Sequence, residues 1–319
     1  MATAPFVIVP SLVAIAVGYK QGKLIADQVL PRVPVHTQTF RYLKYNLADE
    51  FQMPATTVGR KSAPNQIDWT SAELSASVVD QGLDTPIPNA DMLAWEQAQA
   101  AGPGFVSQAS PEARATMLVA ETVQNRREFR AANLVFNAAS YAAANKVALS
   151  GISQWSDYAN SDPLTAIQGY LDSMVMRPNI ATLGRLTATK LRSHPKICKA
   201  VFGNNPDAGT VPLRALADQL ELDDIYVGDA WINTAAPGQP AALSRAWGKH
   251  ASFMYRNMNA DTRGGITFGL TAQWGPPVAG TILDSDVGLR GGQRIRSGES
   301  VLELLTANDL GFFVQNAVA

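Results

Sequence analysis

Gln154-Trp155-Ser156-Asp157-Tyr158-Ala159-Asn160-Ser161-Asp162-Pro163-Leu164 is the stretch on which the reading of this chain turns. Ser161-Asp162-Pro163 is a helix start, because proline suits the first helical turn and needs no amide partner there. A helix is therefore predicted over 163–176. Pro178-Asn179-Ile180-Ala181-Thr182-Leu183-Gly184 follows, with a short strand over 180–184. Leu191-Arg192-Ser193-His194-Pro195-Lys196-Ile197 closes a helix over 185–193, stopped before Pro195. No catalytic logic explains these blocks.

Upstream lies the longest regular element. Ser110 suits an N-cap, Pro111 the first turn, and Glu112 the positive end of the helix dipole. No glycine or proline occurs from Glu112 to Ser150. The reading is one helix over about 111–148, on the order of 50 Å long. Leu118, Phe129, Ala132, Phe136 and Ala139 are expected on its core face.

The first 50 residues read as extended. Lys23–Leu30 holds a short helical turn, after which Pro31 and Pro34 enforce extended backbone. Residues 51–75 are polar and punctuated by Pro54, Gly59-Arg60-Lys61 and Pro64-Asn65. With flanking strands near 39–46 and 74–81, they predict a long protruding hairpin, and loops of that length are usually functional. Asp84–Pro88 reads as a turn, and 90–100 as a short helix. Downstream, a helix is predicted over 211–220 and strands over 224–231, 252–256, 265–272 and 312–314. Gly288–Leu305 reads as a hairpin punctuated by Gly291-Gly292 and Ser297-Gly298.

Composition limits the function. The chain has 319 residues, 46% hydrophobic and 17% charged, which is enough to bury a sizeable core. A net charge of -1 lacks the basic excess of a protein that grips nucleic acid. One cysteine, Cys198, makes neither an internal disulfide nor a structural zinc site. The apolar run Phe6–Val17 has no Lys or Arg before Lys20 and is shorter than the roughly 18 residues of a membrane span. It is expected to pack as an arm rather than act as a targeting or membrane segment.

Chemistry-bearing residues do not cluster. The three histidines, His36, His194 and His250, lack metal-ligand spacing. The acids Asp223-Asp224, Asp284/Asp286 and Glu299/Glu303 carry no recognisable acid–base or calcium pattern. Arg263-Gly264-Gly265 and Arg290-Gly291-Gly292 suit hairpin turns better than phosphate loops. The expectation is no enzyme, no cofactor and no metal.

Four blocks together resemble the major capsid (coat) proteins of tailed bacteriophages. They are Leu24–Val35 with Phe40-Arg41-Tyr42, Arg127-Glu128-Phe129-Arg130-Ala131-Ala132 on the long helix, Gln154–Pro163, and Pro178–Ile197. The resemblance implies an α+β chain of the Hong Kong 97-type capsid fold. Its parts would be an N-terminal arm (1–50), an extended E-loop (51–75), a P domain (76–162 and 276–307) with the long helix as spine, and an A domain (163–275 and 308–319). It implies self-assembly as hexamers and pentamers into an icosahedral virion head. The head would form in the host cytoplasm and enclose double-stranded DNA without sequence-specific binding or a membrane.

Expected partners are other copies of the chain, a separate scaffolding protein, a portal and decoration proteins. The family's helical scaffolding segment is not expected before Leu24, so scaffolding would come from a separate protein, or a prodomain is already absent. Covalent crosslinking through Lys61 is not expected, since no reactive partner is identifiable. Candidate subunit-interface residues are Arg60, Lys61, Arg127, Glu128, Arg290, Arg294 and Arg296, the last three through acids of neighbouring subunits. The alternative in the same fold is an encapsulin-type nanocompartment shell. A hydrolase would instead require a clustered nucleophile, base or metal set.

Overall fold

The computed structural model describes residues 7–8, 24–44, 53–66, 72–102, 110–203, 209–236 and 238–319. Apart from strand β1 (Val7–Ile8), the apolar run at 6–17 lies outside the described residues. Helix α1 (Ala26–Val29) and strand β2 (Arg32–Val35) follow, bounded by Pro31 as predicted. β3 (Thr39–Lys44) and β4 (Ala72–Ser77) pair antiparallel from Thr39↔Ser77 to Lys44↔Ala72 and hold the 53–66 loop at their far end. β5 (Val79–Pro88) continues the extended path into helix α2 (Asn89–Ala101). The turn expected at 84–88 is thus part of a strand. β5 lies at the end of its sheet's strand order, and an edge is where a strand tolerates Pro86 and Pro88.

Helix α3 (Pro111–Val135) starts as its sequence demands, with the Ser110 side chain accepting from the Ala113 amide at 3.1 Å. It ends 13 residues before the expected 148. The reason is side-chain capping without glycine or proline. Ser140 Oγ donates to the Leu134 carbonyl at 2.6 Å, and Tyr141 Oη donates to the Val135 carbonyl at 2.7 Å. These hydroxyls fold back to satisfy carbonyls that a continuing helix would have used. Tyr141 meanwhile stacks on Phe268 and Phe313, 5.0 and 5.3 Å between centroids, which helical backbone would not allow. The core face agrees with expectation at Ala132 and Phe136 but not at Leu118, which is 59% exposed; Ala115, Val119, Val123, Arg127, Ala131 and Val135 also face inward. Two charged residues on the inward stripe, Arg127 and Glu128, mask its hydrophobic period.

The remaining elements are β6 (Lys146–Ala148), α4 (Pro163–Asp172), β7 (Ile180–Gly184), α5 (Arg185–Arg192), α6 (Pro195–Phe202) and α7 (Leu213–Leu220). Then come β8 (Asp224–Gly228), β9 (Trp231–Asn233), β10 (Leu243–Arg245), β11 (Ala251–Met254), β12 (Gly269–Asp284), β13 (Gly292–Leu305) and β14 (Gly311–Gln315). Pro195 does stop α5, but it also opens α6, with His194 as N-cap. The hairpin expected within 288–305 is instead the single strand β13, whose hairpin partner is β12. Gly298 does not turn the chain. A Cβ there would sit 2.6 Å from the Gln81 carbonyl, so the glycine permits close strand approach. β12 also crosses 275–276, the expected A/P division, with a bulge between Trp274 and Val278.

Two larger sheets result among the described residues. In the first, β1-β12-β13-β5 form the path and β2 adds to β12 in parallel. Helix α3 packs on it through Ala115 and Ala120 against Ile87, Ala279 and Ile295. The second, β6-β14-β11-β7-β8, is mixed, and β7 and β11 are buried throughout. Its alternation splits two cores. Ala181, Leu183, Phe253, Phe312 and Val314 meet α4 to α7, while Ile180, Met254 and Phe313 meet α1 and the end of α3.

The decisive 154–195 stretch ties these parts together. Trp155 is buried, and its amide donates to the Ala317 carbonyl at 2.8 Å. Buried His194 accepts from the Lys196 amide at Nδ1, 3.3 Å, which assigns the proton to Nε2, 3.0 Å from Ser161 Oγ. Tyr158 packs edge-on to the imidazole. Burial, aided by the Lys196 charge and opposed by Asp162, holds His194 below its ordinary 6.5. The unfolded chain therefore binds the proton more readily. This residue's stabilisation is complete above about pH 6.5 and is lost as pH falls toward its folded pKa. Between pH 7.5 and 5.5 the wild-type subunit should lose more thermal stability than His194→Gln, measured by circular dichroism melts. Equal pH slopes would contradict the assignment.

Candidate functional site

The middle of α3 gathers residues from distant parts of the chain. Glu128 has no exposed surface. Its Oε1 and Oε2 accept from the Ile25 amide at 3.0 and 3.1 Å, and Oε2 also accepts from the Ala26 amide at 2.8 Å. Oε1 takes a fourth bond, from Trp247 Nε1 at 2.6 Å. The amides are those at the start of α1, where a helix lacks internal acceptors. The indole is held by close packing: a Cβ on Gly228 would fall 2.0 Å from the Trp247 ring, so only glycine lets it settle there. Burial pushes the Glu128 carboxyl above the ordinary glutamate value, against the pull of these donors and Arg127.

Arg127, 3% exposed, lies beside it and bridges outward. It pairs with Asp27 and donates from Nη2 to Thr271 Oγ1 at 3.1 Å. Arg32 reaches the same Asp27 at 2.8 Å, Glu299 at 2.5 Å and Gln273 at 3.0 Å. Arg130 grips Glu303 with two bonds of 3.0 and 3.1 Å and reaches Gln81 at 3.1 Å. Burial works against the Asp27 charge, but Arg127 and Arg32 outweigh it and hold the carboxyl below its usual range. The network fastens α1 and β2 to α3, β12, β13 and β5. Its function is positional: it fixes where α1 and β2 lie against α3 and the first sheet.

The sequence-predicted residues therefore divide. Arg127 and Glu128 are spent inside the chain and have almost no surface to offer a neighbour. Arg294 pairs with Asp284 at 2.6 Å, and Arg296 grips Asp84 with two bonds of 2.7 Å. Both meet acids of their own chain, and their side chains stay 43% and 41% exposed. The Arg296 grip, more than its charge alone, holds Asp84 below the usual carboxylate range. Arg60 and Lys61 are exposed on the 53–66 loop, at a turn closed by the Ser62 amide on the Gly59 carbonyl. Arg290 is exposed beside α2, its carbonyl accepting from Asn89 Nδ2 at 2.9 Å. Asp27, Arg32 and Trp247 gave no sequence signal, because Arg127, Glu299 and Glu128, which place them, lie 100 or more positions away.

The groups that carry chemistry elsewhere have structural duties here. His250 Nδ1 accepts from the Asn316 amide at 2.9 Å. Cys198 is buried, and burial pushes its thiol up, away from the reactive thiolate. A groove of about 830 Å³ beside β3 holds Arg41 and Glu73, which pair with each other at 3.0 Å. Among the described residues there is no group of three or more metal-capable side chains, and no helix is long and apolar enough to cross a membrane.

A family model described as phage major capsid protein E matches residues 135–234. Over 319 residues, 100% of both sequences, the chain is 53% identical to the major capsid protein of Pseudomonas phage JBD67. Among solved structures it is similar to a phage-related protein from Bordetella bronchiseptica, with a TM-score of 0.73 and 22% identity over 98% of this chain and 99% of that one. It is also similar to the capsid of cyanophage P-SCSP1u, with a TM-score of 0.55 and 8% identity over 99% and 92%.

Replacing Glu128 with Gln puts an amide NH2 where donors already converge. The subunit should lose on the order of 2–3 kcal/mol, the scale of hydrogen bonds to a charged group. Trypsin should also cut sooner after Arg32, because α1 is released. Unchanged denaturant stability and unchanged cleavage would show that Glu128 does not anchor the segment.

Proposed function

Because the chain belongs to the phage major capsid protein family, we propose that hexamers and pentamers of it close into the icosahedral head of a tailed phage. It is a structural protein of the virion, and its fold is the Hong Kong 97-type capsid fold. The observation that carries the reading is the full-length identity of 53% to a phage major capsid protein. That likeness also weakens the encapsulin alternative.

In this reading the arm is 1–50 and the β3–β4 hairpin carries the E-loop, 51–75. The P domain is built on α3 and the first sheet, and the A domain on the second sheet and α4 to α7. The head forms in the host cytoplasm around a separate scaffolding protein, incorporates a portal, and accepts decoration proteins. It encloses double-stranded DNA without reading sequence and needs no membrane. A net charge of -1 suits a wall that contains DNA without gripping it. Arg60, Lys61 and Arg290 are the predicted residues left exposed for contacts between copies.

The extended parts supply a physical reason for assembly. Residues 53–66 are exposed except for half-buried Pro54, and the two legs are joined by Asn65 Nδ2 on the Ala55 carbonyl at 2.9 Å. Such a segment buries no core of its own and gains one only on a neighbour. Replacing 53–66 with a short glycine–serine turn should leave the subunit's melting curve intact and abolish stable shells in electron micrographs. Normal shells from that variant would remove the E-loop role.

A further inference from the structure

Among the described residues helix α2 is sparsely covered, although Met92 packs against the cluster of Ile87, Ala115 and Ile295. None of its 13 residues is buried, although Met92, Leu93 and Trp95 are large and apolar. Leu93 is 43% exposed, and Trp95 Nε1 is shielded from solvent without an acceptor among the described residues. The charged side chains of α2 are Asp91 and Glu96, with no base in the helix. Some other exposed acids sit beside a cation: Asp172 and Glu221 beside Arg177, Asp162 beside Lys196, Asp218 beside Arg214. Among the described residues, Asp91 and Glu96 have no such neighbour.

The 53–66 loop is the complement. Its charges are Arg60 and Lys61, with no acid, and it presents Met53 at 96% and Val58 at 47% exposure. Loop and helix lie at opposite ends of one chain path. The loop precedes β4, and α2 follows β5. The extended run from 72 to 88 between them measures on the order of 50 Å if straight. A cationic, apolar tip at one end and an acidic, apolar helix at the other make a head-to-tail pair. Repetition of such a heterologous contact closes a ring.

We propose that α2 is the receptor for the 53–66 loop of a neighbouring copy. Arg60 and Lys61 face Asp91 and Glu96, and Met53 and Val58 cover Leu93 and Trp95. This rests on the capsid reading and names the surface on which one copy recognises the next. The acids set partner and register, since like charges in the same place repel, and the apolar contact excludes water.

The test compares the wild-type chain with Arg60→Glu/Lys61→Glu, with Asp91→Lys/Glu96→Lys, and with all four changes combined. Assembly is read as sedimenting particles and folding as a melting curve. Each reversed pair should fold normally and cut particle yield by roughly tenfold or more, and the combined variant should recover it. A second variant, Arg60→Cys/Glu96→Cys, should give a ladder of intersubunit disulfides on oxidation, because native Cys198 is buried. Normal assembly of either reversed pair, failure of the combined variant to recover, or a disulfide confined to single chains would overturn the proposal. A wild-type chain that makes no shell under the same conditions would instead overturn the capsid reading beneath it.

Discussion

A carboxylate without exposed surface governs how this subunit is put together. Burying an ionised glutamate costs several kcal/mol unless its oxygens are fully occupied. Glu128 meets that condition with the Ile25 and Ala26 amides and the Trp247 indole. Those donors stand 102 to 119 positions away in sequence. The charge is therefore tolerable only when the N-terminal segment, the long helix and the loop before β11 are in place together. Arg127, on the same stripe, adds the same demand for Asp27 and Thr271. Each pair is weak evidence for net stability but strong reason for a single arrangement, since removing one partner strands the other.

That junction separates two kinds of structure. On one side, the second sheet and α4 to α7 enclose an apolar core with Trp155, Ile167, Leu191 and Phe253 nearly dry. On the other, β3, β4, β5 and α2 extend away and leave apolar surface open at Val58, Leu83 and Leu93. Polar and ionisable groups serve as caps and cross-ties: His194 at the start of α6, Cys198 beside the Arg192 carbonyl, Asp162 at the start of α4. A rigid centre with open extensions is what a building unit of a shell requires, because its remaining surface is completed by other copies.

The sequence announces what local chemistry announces. Ser110-Pro111 and Asp162-Pro163 mark helix starts, and β7 lies at the predicted residues 180–184. The hairpin formed by β3 and β4 follows from strand alternation around a punctuated loop. What stayed hidden depends on distant partners. The end of α3 is set by Ser140 and Tyr141 folding back, and Tyr141 does so because Phe268 and Phe313 receive its ring. Gly298 looked like a turn residue because its reason, the Gln81 carbonyl, sits on another strand. In the sequence Arg127 and Glu128 stand out as charged and suit a subunit interface. Only the arrival of α1 and Trp247 turns that position into a core. The Ser161–His194 bond explains why the two blocks that decided the reading occur together.

The central claim is that this chain is a shell subunit whose open surfaces are completed by copies of itself. Cryo-electron microscopy of the purified full-length protein, alone and co-expressed with the proposed scaffolding protein, tests it most directly. The account predicts closed icosahedral particles built of hexamers and pentamers, with α3 in the shell wall and each 53–66 loop lying across a neighbouring subunit. A lasting monomer, even with scaffold present, would contradict it.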